Sequence, residues 1–253
     1  MRSGIYHEGK IYETDGVNAI DTHDPANVVF LSPIGRPAAV RCFESFSPLP
    51  GEWDLSYFYI NPAGIKGPDS TIELAPGVEE LGLEIRIGAV LQDSGISLDP
   101  KESDGFILGY TFFLVFTDRS GSDTMDGSLL EAMPARWTEM RDTGALISPF
   151  VVTPEELAEL RESQSRANFA WKYQLYINDK QIEMPGNMTF DQGMDELLAL
   201  ASRRSPVGAG EVITWPALPT ADLATSSLER NLIPGDKIRV VIEGLGALTG
   251  RIG

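Results

Sequence analysis

The sequence is poor in several residue types that carry much of protein chemistry. Its 253 residues include one cysteine, Cys42, and two histidines, His7 and His23. A single cysteine excludes an internal disulfide and a zinc site built from cysteines. The longest strongly apolar stretch, at 107–116, is far shorter than the roughly 20 residues of a membrane-spanning helix. Residues 1–13 lack the apolar segment of a secretory signal, so we expect a cytoplasmic protein.

Basic residues are also scarce. The chain has 20 Lys and Arg against 37 Asp and Glu, which gives a formal net charge of -17. This charge repels a phosphate backbone and an anionic membrane surface, so we expect neither nucleic acid nor membrane as a partner. The acids are spread along the chain, and this distribution indicates a soluble acidic surface. A hydrophobic fraction of 42% is ordinary for a globular protein of this length.

Short apolar or alternating runs, separated by turn residues, predict a β-rich chain. The predicted strands of the main body are 71–74, 83–91, 107–116, 171–177 and 237–242. Near the N-terminus, Glu8-Gly9 separates two short runs and predicts a hairpin, because glycine tolerates positive φ. Residues 180–184 are predicted to follow a turn at Asn178-Asp179.

Chain breakers predict two domains. Pro48, Pro50 and Gly51 lie close together, and such clusters are typical of domain boundaries. We therefore expect a small N-terminal β unit at 1–50 and a main body, the catalytic core, at 51–253.

Helix signals are few. Thr153-Pro154-Glu155-Glu156 is a capping box with proline at the first helical position, and it predicts a helix to about Ala167. A second helix is predicted from about Thr189 to Ser202, and a short third one from Ser128. The predicted class is mixed α/β and β-rich, with few peripheral helices.

Five segments follow one another in a distinctive order. They are residues 83–91, Gly109-Tyr110-Thr111, 136–149, 176–179 and 232–248. Their order and spacing, over about residues 59–251, resemble the fumarylacetoacetate hydrolase superfamily. The resemblance implies a rolled β core with a pocket at its mouth, a small-molecule substrate and a homodimer.

The resemblance also implies a divalent metal on two glutamates and two aspartates, which polarises a 1,3-dicarbonyl substrate. Hard oxygen ligands of this kind suit Mg²⁺ or Ca²⁺. Glu84 matches the first glutamate, but Arg86 stands at the second and Val115 at an aspartate. Since a guanidinium repels a cation, we expect neither a metal nor another cofactor. Arg86 either takes over the metal's electrostatic role or forms a simple ion pair with Glu84, and both interpretations stay open.

Other family positions give the remaining candidate catalytic residues. Hydrolytic members often carry a histidine in the stretch matched by 41–46, which has none here. Glu44 is a candidate general base if it is buried, since desolvation would raise its pKa towards the working pH, and Glu84 is the alternative residue to move the proton. Arg141 lies near the position of a family lysine and could bind a carboxylate or an enolate oxygen. The predicted catalytic set is therefore Glu84, Arg86, Glu44 and Arg141.

The predicted substrate-binding residues are Tyr110, Val115, Thr214 and Trp215. The family loop that contacts the substrate carboxylate is matched by 213–217, where glycines are lost and Trp215 is gained. A bulky aromatic residue there predicts a more apolar ligand, or a pocket that is already filled.

Three functions remain open at this level. The leading hypothesis is an enzyme that acts on a small ketonic, dicarbonyl or polyketide-like substrate without the family's metal, by isomerisation, decarboxylation, cyclisation or C–C cleavage. The second is a metal-dependent C–C hydrolase with a shifted ligand set. The third is a non-catalytic binding or scaffold protein on the same fold.

Overall fold

A computed structural model of the protein describes residues 2–45, 55–120, 139–162, 167–184, 187–219, 223 and 226–253. The chain forms two compact units, Met1–Leu31 and Ser32–Gly253. The predicted boundary near residue 50 differs from this division, because Val40–Ser45 is a strand of the large sheet in the second unit. The predicted third helix at Ser128 lies outside the described residues.

The first unit is a three-stranded antiparallel sheet. Its strands are β1 (Ser3–His7), β2 (Lys10–Thr14) and β3 (Ala19–His23) in that order. Glu8 and Gly9 join β1 to β2 with φ of 46° and 77°, the left-handed backbone that a two-residue hairpin turn requires. The hairpin predicted from Glu8-Gly9 is confirmed.

The second unit contains the remaining strands. In chain order they are β4 (Val40–Ser45), β5 (Leu55–Tyr59), β6 (Ile65–Lys66), β7 (Thr71–Ile72), β8 (Leu81–Leu91), β9 (Ile107–Asp118), β10 (Gly144–Ile147), β11 (Trp171–Ile177), β12 (Lys180–Ile182), β13 (Asn187–Met188), β14 (Val212–Thr214), β15 (Lys237–Ile242) and β16 (Gly246–Ile252). The β-rich class and the few helices expected from the sequence are confirmed.

These strands form two sheets. The larger has the order β5-β4-β14-β8-β9-β10-β6, and the smaller has the order β12-β11-β15-β16-β7, with β13 also paired to β11. The long β8–β9 hairpin is buried on both faces, which explains why both strands are nearly continuous apolar runs.

The two faces of β8 meet different surroundings. Leu83, Ile85 and Ile87 belong to the main core, which also contains the buried side chains of the smaller sheet. Glu84 and Arg86 alternate with them and therefore lie on the opposite face. That face also carries a smaller apolar cluster, formed by Val40, Cys42, Phe58, Ile60, Val90, Phe113, Val115, Ala145, Ile147 and Val212.

The helices are short. They are α1 (Pro100–Ser103) and α2 (Met194–Ser202) among the described residues. The helix predicted to end at Ser202 is thus present, although it begins at Met194 rather than near Thr189. The α-helix predicted from Thr153 is wrong over residues 153–162, where the chain forms turns and a 3₁₀ helix at Ala158–Leu160. The backbone of residues 160–162 is hydrogen-bonded to Asn168 and Ala170, so the chain turns back where the predicted helix would continue, and tertiary contacts override the capping signal.

Candidate functional site

Four charged side chains meet at one face of the large sheet. Glu84 and Arg86 come from β8, Glu44 from the end of β4, and Arg141 from the segment before β10. They are the four predicted catalytic residues, and the structure brings all of them together. We call them the charged cluster.

Arg86 is the centre of the cluster and is completely buried. Its Nε and Nη2 donate to Glu84 Oε2 at 2.9 and 2.7 Å, and its Nη1 donates to the carbonyl oxygen of Phe43 at 3.0 Å. Its Nη2 also bonds to Glu44. A buried guanidinium needs such partners, because an unpaired charge in an apolar interior is very costly.

Glu84 joins the two arginines. Its Oε1 lies 2.5 Å from Arg141 Nη2, while its Oε2 accepts from Arg86. Phe58 lies beside both cations, with its ring centroid 5.1 Å from the Arg86 guanidinium carbon and 5.5 Å from that of Arg141. The negative face of the aromatic ring helps to offset the repulsion between the two arginines.

The electrostatics keep Glu84 and the two arginines ionised. Burial raises the pKa of the Glu84 carboxyl, but the charges of Arg86 and Arg141 outweigh it and leave that pKa below the ordinary value. Burial disfavours the charge of Arg86, whereas Glu84 and Glu44 favour it, and the pKa of Arg86 is raised. Burial lowers the pKa of Arg141 despite its contact with Glu84. Arginine nevertheless stays protonated at neutral pH.

Solvent reaches the cluster mainly at Glu44 and Arg141, while the side chain of Glu84 is 11% exposed. The side chains of Arg141 and Glu44 are 13% and 18% exposed. Arg141 also lines a cleft of about 310 Å³, which is at the small end of ligand pockets. The other residues of this cleft are Tyr59, Ile60, Asn61, Pro62, Glu139 and Asp142.

Val115 and Thr214 lie on the same face as the charged cluster. Val115 pairs with Glu84 across β8 and β9 and is fully buried in the smaller apolar cluster. Thr214 pairs with Gly88, two residues beyond Arg86, and is also fully buried. Both therefore help to form the buried floor near the charges.

Tyr110 and Trp215 are not brought to the charged cluster. Both belong to the main core on the other face of the sheet, where their rings stack with centroids 5.8 Å apart. Trp215 Nε1 donates to the carbonyl oxygen of Gln192 at 2.9 Å. Trp215 thus fills core space, while Tyr110 lines a separate cleft of about 720 Å³.

The sequence reasoning missed two contributors to the site. Phe58 supplies the ring beside both arginines, and Phe43 supplies a carbonyl oxygen to Arg86. The pairing of Cys42 with Phe58 on β4 and β5 places the ring on this face. The aromatic run at 57–59 was the available signal, but it does not tell which residues lie opposite.

The residues present do not fit a divalent metal at the position that the family resemblance implies. Arg86 fills the place of one carboxylate, and Val115 offers no ligand atom at another. Glu84 and Glu44 are both bound to Arg86. Among the described residues, the one group of three His, Cys, Asp or Glu donors close enough to share an ion is Glu13, Asp21 and His23, in the first unit.

Solved structures share this fold. A fumarylacetoacetate hydrolase from Exiguobacterium antarcticum superimposes with a TM-score of 0.73 at 19% identity, covering 99% of this chain and 94% of that one. A 5-carboxymethyl-2-hydroxymuconate delta-isomerase from Mycobacterium smegmatis gives 0.71 at 18% identity, covering 100% and 98%. A maleylpyruvate hydrolase from Sphingobium gives 0.70 at 15% identity, covering 99% and 96%. The fold is therefore the one used by these hydrolases and isomerases.

The amino-acid sequence assigns the chain to a family. The family model described as the C-terminal part of fumarylacetoacetate hydrolase matches residues 37–253, and the chain belongs to this family. An uncharacterized protein of Staphylococcus epidermidis is 27% identical over 231 residues, which cover 88% of this chain and 71% of that protein. An uncharacterized protein of Staphylococcus aureus is 25% identical over 230 residues, with the same coverage.

The described residues contain no helix that is both long and apolar enough to cross a membrane.

Proposed function

We propose that this protein is an enzyme of the fumarylacetoacetate hydrolase family that isomerises a small 1,3-dicarbonyl acid without a metal at the family's position. The observation that carries the proposal is the place of Arg86. Its guanidinium stands where the family has a ligand and is held by Glu84, Glu44 and a backbone carbonyl. The guanidinium therefore leaves no place for a cation there, and since its N–H groups are held by protein oxygens, the positive charge that faces the substrate comes from Arg141, which lines the cleft.

The two partly buried members of the cluster, Arg141 and Glu44, suit the chemistry of an enolate. Arg141 lines the cleft and presents a cation that can bind an enolate or carboxylate oxygen. Glu44 is the carboxylate with the greater exposure. We assign Arg141 the role of oxyanion stabiliser and Glu44 the role of general base, with Arg86 holding Glu44 in place.

The proton transfer is balanced without a further reactant. Glu44 removes a proton from the carbon between the two carbonyl groups, and the electron pair of that C–H bond forms the enolate. The negative charge moves to the oxygen that faces Arg141. Glu44 then returns the proton to a different carbon or to oxygen, which completes the isomerisation and restores the carboxylate.

One consideration favours isomerisation over C–C hydrolysis, and a second shows that the fold accommodates it. Hydrolysis needs an activated water in addition to a proton acceptor, and a bound metal usually supplies one. The charged cluster has arginines where such a metal would lie. Proteins of the same fold include ones named as isomerases, which supports proton transfer as a chemistry available to it.

Turnover of defined dicarbonyl acids tests this function. Acetopyruvate and longer 2,4-dioxo acids are incubated with wild type, Arg141→Gln and Glu44→Gln, and the conversion of the keto and enol forms is followed by absorbance and by ¹H NMR. We expect turnover that falls about 100-fold or more in each variant. Lys172→Met changes only an exposed ion pair with Glu243, so it should keep full activity. Full activity in both site variants would refute the assignment.

A non-catalytic binding protein is the second candidate. The charges of Glu84, Glu44, Arg86 and Arg141 offset each other within the cluster, and Arg86 and Val115 are fully buried. This arrangement would also suit a structural network below a binding cleft. It predicts that dicarbonyl acids bind without any conversion, and that Arg141→Gln weakens their binding.

A further inference from the structure

The antiparallel sheet of the first unit gathers three potential metal ligands. Glu13 of β2 lies directly opposite Asp21 of β3 in the ladder, and His23 pairs with Ile11 two residues further along. Because side chains alternate between faces, Glu13, Asp21 and His23 all lie on one face of the sheet. The three ligands therefore come from two neighbouring strands of a hydrogen-bonded hairpin.

The distances within this group match a small coordination shell. His23 Nε2 lies 3.0 Å from Glu13 Oε2 and 4.0 Å from Asp21 Oδ2, and one donor atom from each residue lies within 4.8 Å of the others. Ligands at zinc distances stand about 3.3–3.6 Å apart in a tetrahedron. Asp21 has a side chain that is 64% exposed, so it can move inward by the remaining distance.

We propose that Glu13, Asp21 and His23 form a binding site for a divalent transition metal, with Zn²⁺ as the expected ion. Imidazole nitrogen and carboxylate oxygen are both donor types that zinc accepts. The exposure of Asp21 and His23 leaves the fourth position open to water. This site lies in the first unit and does not depend on the proposed function of the charged cluster.

Arg2 is the competitor of the metal. Its Nη1 lies 2.9 Å from the same Glu13 oxygen that His23 contacts, and its side chain is 73% exposed. An exposed ion pair of this kind contributes little stability, so a metal can displace it. Removing the guanidinium should therefore strengthen metal binding rather than weaken it.

The test uses the full chain with any affinity tag removed and zinc stripped by a chelator. Zinc chloride is titrated calorimetrically into wild type, His23→Gln, Asp21→Asn and Arg2→Gln, with His7→Gln as the matched control. We expect one zinc per chain, an affinity lower by about tenfold or more in His23→Gln and in Asp21→Asn, unchanged affinity in His7→Gln and tighter binding in Arg2→Gln. Asp21 is exposed, so Asp21→Asn tests the site without risk to folding.

Imidazole NMR gives an independent readout. The chain has only two histidines, so a long-range ¹H–¹⁵N spectrum contains two imidazoles. Zinc should shift the resonances of His23 and leave those of His7 in place. The proposal is overturned if wild type shows no saturable zinc binding, or if His23→Gln binds zinc as tightly as wild type. Chelation should leave turnover by the charged cluster unchanged, which separates this proposal from the proposed function.

Discussion

Replacing Arg86 by methionine should destabilise the second unit strongly. The side chain is fully buried and bonded to Glu84, Glu44 and the Phe43 carbonyl oxygen. Removing one partner of a buried ion pair typically costs about 3–5 kcal/mol. The low end applies here, because Glu84 keeps Arg141 and Glu44 is partly exposed. A loss of about 3 kcal/mol in a unit of this size corresponds to a fall in melting temperature of about 6–12 °C.

Differential scanning calorimetry of wild type and Arg86→Met measures this effect. Lys172→Met is the matched control, because it breaks an exposed ion pair with Glu243 at 3.0 Å and should change the free energy of unfolding by less than about 1 kcal/mol. The double variant Glu84→Gln/Arg86→Met should lose less than the sum of the single losses, since each single variant already breaks the Glu84–Arg86 ion pair and the double variant breaks it only once. An Arg86→Met protein that melts within about 2 °C of wild type would refute the account of the cluster.

Three further predictions concern the pKa of Glu84, the reactivity of Cys42 and the close packing at Gly88. The pKa of Glu84 is lowered in the folded state, so its contribution to stability is full above the ordinary glutamate pKa and is lost as the pH falls through the folded value. The deficit of Glu84→Gln in unfolding titrations should therefore be larger at about pH 7 than at about pH 3, and an equal deficit would contradict this. Burial raises the pKa of Cys42 to about 11, so a thiol reagent at neutral pH should label it only after unfolding, and rapid labelling of the native protein would show an accessible thiolate. A Cβ on Gly88 would lie 2.8 Å from the Ile213 carbonyl oxygen, whereas one on Gly105 meets nothing within 4 Å. Thermal melts should therefore show a loss of about 1–3 kcal/mol for Gly88→Ala and little change for Gly105→Ala, and equal melting temperatures would count against the close strand packing.

Local sequence patterns predicted much of the fold. The bounds of 171–177 and 237–242 are those of β11 and β15, because alternation and turn residues act within a few positions. The same alternation placed Glu84 and Arg86 on one face, and the structure joins them in an ion pair. The helix predicted from Thr153 failed because residues 160–162 pair with Asn168 and Ala170 instead of continuing a helix, and a capping signal cannot report such a pairing.

Which residues contact each other in the charged cluster depends on pairing between segments that are far apart in the sequence. Arg141 reaches Glu84 from a segment more than fifty positions away, and only the family resemblance placed it nearby. Phe58 was missed because its role depends on the pairing of β4 with β5. Tyr110 and Trp215 carried motif signals, but a motif does not tell on which face of the sheet an aromatic ring packs. The face of the sheet on which each of these two rings packs follows only from the register of β8, β9 and β14.

The metal dependence of turnover tests the central claim most directly. The rate of isomerisation of acetopyruvate by the tag-free protein is measured in excess chelator and again after Mg²⁺, Mn²⁺ or Ca²⁺ is restored. Because Arg141 supplies the positive charge that faces the substrate in this account and Arg86 occupies the place of the metal, the rates should be equal under all four conditions. Turnover that vanishes in chelator and returns with one of these ions would contradict the account and indicate a metal-dependent enzyme.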